Sequence, residues 1–91
     1  MQNEKAPQKF VLIDGTFTPA EAKEIITNLL EFKIQFHSRE NFSSEIRQGK
    51  EDKKSLQRKE QLVETKRKFS DFISEIPVGK QLHIHSVISI E

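Results

Sequence analysis

The sequence predicts an α+β fold of order β-α-α-β: a long helical hairpin packed on a small antiparallel sheet, with the sheet completed by dimerisation. Three observations predict it. A short β-rich run, Phe10–Ile13, stands near the start. A segment of strict alternation, Lys80–Glu91, stands at the end. Between them about sixty residues carry apolar side chains at helical spacing. Going up the first strand, down one helix, up the next and down the last strand leaves the two strands antiparallel, with no crossover to build.

The first strand is short. Asp14–Gly15 is a turn dipeptide and is expected to end it. Met1 to Lys9 is polar, contains Pro7 and lacks an apolar stretch, so it does not read as a secretory signal. Residues 1–8 are expected to form a flexible tail and residues 9–91 a single domain.

Thr18-Pro19-Ala20-Glu21 is a helix start. Thr18 caps the free N–H groups, and Pro19 occupies the first helical position, where its missing N–H costs nothing. Glu21 stands three residues after the cap, as a capping box requires. The first helix is expected from Pro19 to about Phe36. Ala22, Ile25, Ile26, Leu29, Phe32 and Phe36 form one stripe, and Leu30 and Ile34 fall on a flanking face. Two apolar faces call for two neighbours, either the sheet and another helix or a second subunit. Phe42 and Ile46 sit well off the first stripe, so a break or kink is expected near Ser38–Asn41.

Gly49 is a helix stop. A second helix is expected from Asp52 to Ile76. Leu62, Phe69, Phe72, Ile73 and Ile76 share its main face; Leu56 and Val63 lie off it. The hairpin tip is therefore polar and its base apolar. Pro77 and Gly79 turn the chain into the last strand. There Leu82, Ile84, Ile88 and Ile90 point one way, and His83, His85, Val87 and Ser89 the other. The first strand is expected to be too short to cover the last one, which leaves an edge for a second copy to pair with.

Composition narrows function. Only 34% of residues are hydrophobic, below the usual near-half, and 32% are charged. A chain of 91 residues with no cysteine has neither a large core nor a disulfide to hold it. Self-association, a homodimer, is the expected remedy. No apolar run is long enough to cross a membrane. Absence of cysteine fits a reducing cytoplasm.

Candidate sites are few. Between Lys53 and Lys68 the chain carries a net charge of +5. Lys54, Arg58, Lys66, Arg67 and Lys68 are the candidate nucleic-acid contacts, although they scatter round the helix instead of forming one stripe. His83 and His85 share a strand face, but two ligands are too few for a metal site. No Gly-x-Ser-x-Gly elbow or glycine-rich phosphate loop occurs. No cofactor, metal or catalytic residue is expected. Phe42, Ile46 and Leu56, set in a polar tip, are the candidate contacts for an unknown protein partner.

The segment Ile13-Asp14-Gly15-Thr16-Phe17-Thr18-Pro19-Ala20-Glu21-Ala22, with Asn41-Phe42-Ser43-Ser44 and Gly49-Lys50-Glu51-Asp52, resembles short uncharacterised bacterial proteins of similar length. That resemblance implies a bacterial, cytoplasmic origin and carries over no functional residue.

The strand faces make a prediction. Ile84→Asp unfolds the protein or scatters its subunits, whereas His85→Ala is nearly silent in thermal unfolding. A large stability loss in His85→Ala would mean that the faces are reversed.

Overall fold

The computed structural model describes residues 6–91. Its elements are β1 (Gln8–Phe17), α1 (Pro19–Gln48), α2 (Lys53–Ser74) and β2 (Leu82–Ile90). β1 and β2 pair antiparallel in one two-stranded sheet. The α+β class and the β-α-α-β order are as expected. Most of the expected tail falls on residues 1–5, which lie outside the described residues.

β1 is longer than expected, and Asp14–Gly15 is not a turn. The strand runs straight through it, pairing Asp14 with His85 and Gly15 with Ile84. Two features let it do so. The Phe17 ring lies over Gly15, 3.3 Å from where a Cβ would stand, and supplies the side chain that glycine lacks. A bulge between Val11 and Ile13 then inserts Leu12 as an extra residue. Side chains alternate faces along a strand, so one extra residue exchanges the faces beyond it. Ile13 and Phe17 share a face with Ile84 and Leu82, and the bulge brings Phe10 onto that same face opposite Ile88. Without it Phe10 would stand on the histidine side. The strands are therefore matched in length, and no surplus of β2 is left over.

α1 begins as its sequence dictates. Thr18 Oγ1 accepts from the Glu21 N–H at 3.1 Å, and the Thr18 N–H donates to Glu21 Oε1 at 2.9 Å. It ends at Gly49, whose φ of 67° closes the last turn with an N–H donated to the Glu45 carbonyl. Between these caps the helix is continuous for 30 residues. The expected break near Ser38–Asn41 is absent. The apolar pattern lapses there because polar side chains hold that end of the hairpin. His37 Nδ1 lies 3.4 Å from Ser55 Oγ, Asn41 Oδ1 accepts the Asp52 N–H at 2.7 Å, and Ser44 Oγ donates to the Lys50 carbonyl at 3.0 Å. Asp52 caps α2 in turn, accepting from the Ser55 N–H at 3.1 Å.

The seam between the helices follows a heptad on α2. Ser55, Lys59, Leu62, Lys66, Phe69 and Ile73 recur at steps of four and three residues, all buried or half-buried. Leu62 and Ile73 are the buried apolar members. On α1 the matching row is Ile26, Leu30, Ile34, His37 and Asn41. The face expected to be secondary is the one that takes α2. Phe72 lies about 100° round from Ile73 and, contrary to expectation, stands off the seam, 62% exposed.

The sheet meets the hairpin at its base. Ala22 is the most enclosed residue there, 1% exposed, and α1 makes the closest backbone approaches to both strands. Principal extents of 50 × 37 × 14 Å give two arms, a hairpin and a ribbon. The radius of gyration is 17.1 Å, against about 12 Å for a compact chain of this length.

Leu62→Ala should lower stability by about 2–5 kcal/mol in urea titration, because it opens a cavity in the seam. Phe72→Ala, on the same helix, should change the stability of the dilute single chain by no more than about 0.5 kcal/mol. Equal losses would contradict the seam assignment.

Candidate functional site

Helical geometry fixes which side chains are left over once the seam closes. At about 100° per residue, Ile25, Leu29, Phe32 and Phe36 lie roughly a third of a turn round α1 from its seam row. Phe72 is rotated by a similar amount, in the same sense, from the seam of α2. The helices run antiparallel, so both rotations lead to one side of the hairpin. That side carries an open apolar face. Phe32 is 63% exposed, and Leu29 and Phe36 are also exposed. Lys33 Nζ sits 4.7 Å above the Phe36 ring, and the His37 ring meets it edge-on at 5.3 Å. These contacts hold the Phe36 ring in place while its outer surface stays open. A second apolar surface lies on the far half of the sheet, where Phe10, Ile88 and Ile90 are uncovered.

Of the three residues expected to contact a protein partner, Phe42 and Leu56 fall on one side of the hairpin and Ile46 does not. Phe42 and Ile46 are both exposed, and Ile46 lies on the side of α1 away from α2. Leu56 is half-buried, in a shallow depression of about 270 Å³ with Lys59, Glu60, Val63 and Glu64. By the same rotation that depression is on the side of the hairpin opposite Phe36. Phe42, Ile46 and Val63 all stay exposed, so the hairpin does not bury them against one another.

The basic residues are dispersed and partly engaged. Lys66 pairs with Glu31 across the hairpin. Arg67 binds Glu64 at 2.6 Å and Asp71 at 3.0 Å. Its hydrogen bond holds the Glu64 carboxyl below the usual carboxylate range. Arg58 donates to Gln61 at 3.1 Å. Lys54 lines an open depression of about 480 Å³ at the hairpin tip, together with Glu40, Arg47, Glu51 and Asp52, which mixes both signs of charge. Lys54, Arg58 and Lys68 fall within about 80° of one another on the Phe72 side of α2, whereas Lys66 lies in the seam and Arg67 on the opposite side, so the five cations do not share one face.

His83 and His85 stand exposed on the outer face of the sheet, and His83 Nε2 is 3.3 Å from Asp14 Oδ1. Among the described residues no three His, Asp or Glu side chains gather in a metal-binding group. No helix among them is long and apolar enough to cross a membrane.

Comparison with protein-family models, with curated proteins and with solved structures returns no match. Function must therefore be read from this chain's own residues.

Sequence reasoning placed Leu29, Phe32 and Phe36 on the main stripe of α1 but did not single them out as a contact surface. The signal that finds them is the α2 heptad. Once it is drawn, Phe72 drops off the seam, onto the side of the hairpin where Leu29, Phe32 and Phe36 stand. Two of the five cations are ion-paired and the other three make only a short row, a weak phosphate track. Random duplex DNA should therefore show no mobility shift with this protein at low salt, where non-specific binding is strongest. A salt-dependent shift abolished by Lys54→Ala with Lys68→Ala would contradict this.

Proposed function

We propose that this chain is a non-catalytic protein-interaction module that works as a homodimer, with the Leu29/Phe32/Phe36/Phe72 side of its hairpin as the principal contact surface. One observation carries the reading. A helix of 30 residues presents two apolar faces, and the chain's own second helix covers one of them. An apolar face of this kind, rimmed by charged side chains, is typical of surfaces that bind protein. The polar tip of the hairpin, with Phe42 and Ile46 exposed beside it, is a second place at which a regulatory partner would meet the assembled module. The resemblance to short bacterial proteins supports a bacterial, cytoplasmic setting. Nucleic-acid binding through Lys53–Lys68 is the competing reading, and the Lys66–Glu31 and Arg67–Glu64 pairs weigh against it.

Light scattering tests the reading. At tens of micromolar the protein should have twice its 10.6 kDa chain mass. Phe32→Ser should leave the helical content unchanged and weaken assembly by about ten- to a hundred-fold, because burying one phenylalanine is worth about 1.5–3 kcal/mol. A monomer at that concentration, or an assembly indifferent to Phe32→Ser, would contradict it.

A further inference from the structure

The two edges of the ribbon differ. A strand edge is a row of unpaired N–H and C=O groups that recruits another strand unless it is blunted. β1 is blunted by the Leu12 bulge, by Lys9 and by Gly15. β2 carries none of these devices. Leu82–Ile90 contains no proline, no glycine, no acidic residue, no lysine and no arginine, and the extra residue of the bulge sits on β1.

The order of side chains on β2 is self-complementary. When a strand pairs antiparallel with its own copy, residues equidistant from the axis stand opposite each other and share a face. Full overlap of Leu82–Ile90 puts the axis at its midpoint, Ser86. Leu82 then faces Ile90 of the copy, Ile84 faces Ile88, and Ser86 faces Ser86, all on the inner side. Every apolar group meets an apolar one, and the two hydroxyls meet each other. Moving the axis one residue either way sets Ser86 against Ile84 or Ile88 and spoils the match.

The same operation answers an oddity of the single chain. Leu82 and Ile84, near the hairpin, are half-buried, but Ile88 is 43% and Ile90 59% exposed. Antiparallel pairing sets the far end of one β2 beside the near end of the other, where the second copy's helices begin. The uncovered isoleucines would then lie under the open face of the partner hairpin.

Resting on the homodimer reading above, we propose that β2 pairs with β2 of a second copy across a two-fold axis at Ser86, giving a four-stranded sheet of order β1-β2-β2-β1. The surface area fits this occupant. The chain exposes 7339 Å², whereas a globular monomer of its mass exposes about 5,500 Å². The difference, about 1,800 Å², is in the range that an obligate dimer hides on each chain. A foreign strand would cover the edge and leave Phe32 and Phe72 in water. A second copy brings the apolar faces that cover them.

The chain has no cysteine, so Ser86→Cys creates its one thiol. Directly opposite residues have Cα atoms about 4.5–5.5 Å apart, within disulfide reach. Mild oxidation should turn Ser86→Cys into a covalent dimer. Val11→Cys, on the outer strand and about 14 Å or more from its copy, should stay uncrosslinked. In the unmodified protein, a mixture of isotope-labelled and unlabelled chains should show Ile84-to-Ile88 methyl contacts between copies by nuclear magnetic resonance, which keeps the test independent of either variant. A dimer that lacks both the Ser86 crosslink and those contacts overturns the β2 pairing and leaves self-association standing. Crosslinking at Val11 in place of Ser86 overturns it in favour of the β1 edge. A monomer overturns the homodimer reading itself.

Discussion

The seam between α1 and α2 sets everything else in this molecule. It is narrow, and it uses the Ile26/Leu30/Ile34 row of α1, leaving Leu29, Phe32 and Phe36 turned away. Had α2 lain over that richer stripe instead, Lys66 would have lost Glu31. Polar stitches at the tip fix the rotation. His37 with Ser55 and Asn41 with Asp52 are satisfied in one alignment of the helices. Buried polar groups contribute little net stability but penalise a wrong register, because each unpaired group costs about 1–3 kcal/mol. Apolar attraction holds the base of the hairpin, and hydrogen bonding chooses which faces meet.

That choice leaves the single chain thinly cored. Among the described residues Ala22, Leu62 and Ile73 are the buried hydrophobic ones. Small domains bury a low fraction of their surface even when compact, and this one spreads a ribbon away from its hairpin. Ordering each residue costs about 1–2 kcal/mol of backbone entropy. Burial of three apolar side chains and a row of half-buried ones offsets that poorly. The exposed phenylalanines are thus connected to stability as well as to recognition: what would bind a partner is also what the fold lacks inside.

Much of the fold was legible because local chemistry and global shape agree at its ends. The Thr18–Glu21 box, the Gly49 stop and the alternation of β2 each have one structural meaning, and each held. The errors share a cause. Asp14–Gly15 has turn chemistry, but the Phe17 ring and the Leu12 bulge, both dependent on a paired strand, override it. The helix seemed to break at Ser38–Asn41 because apolar spacing was the measure, and here serine, asparagine and histidine do the packing. Phe42 and Ile46 stood out as odd in a polar region and are indeed exposed, yet helix rotation leaves Phe42 on the side of Leu56 and sends Ile46 to the back of α1. The main stripe of α1 was visible as the most apolar one. Nothing in α1 alone says that α2 would take its neighbour.

If the open faces are satisfied by a second copy, folding and assembly are linked and stability must depend on protein concentration. Urea unfolding followed by circular dichroism at about 1 µM and about 100 µM measures that linkage directly. A two-faced α1 with one face covered in trans predicts that the midpoint rises with concentration. Superimposable curves at the two concentrations, with the chain fully folded at the lower one, would mean that the ribbon and half a hairpin stand alone in water, and that the uncovered stripe needs no partner of its own kind.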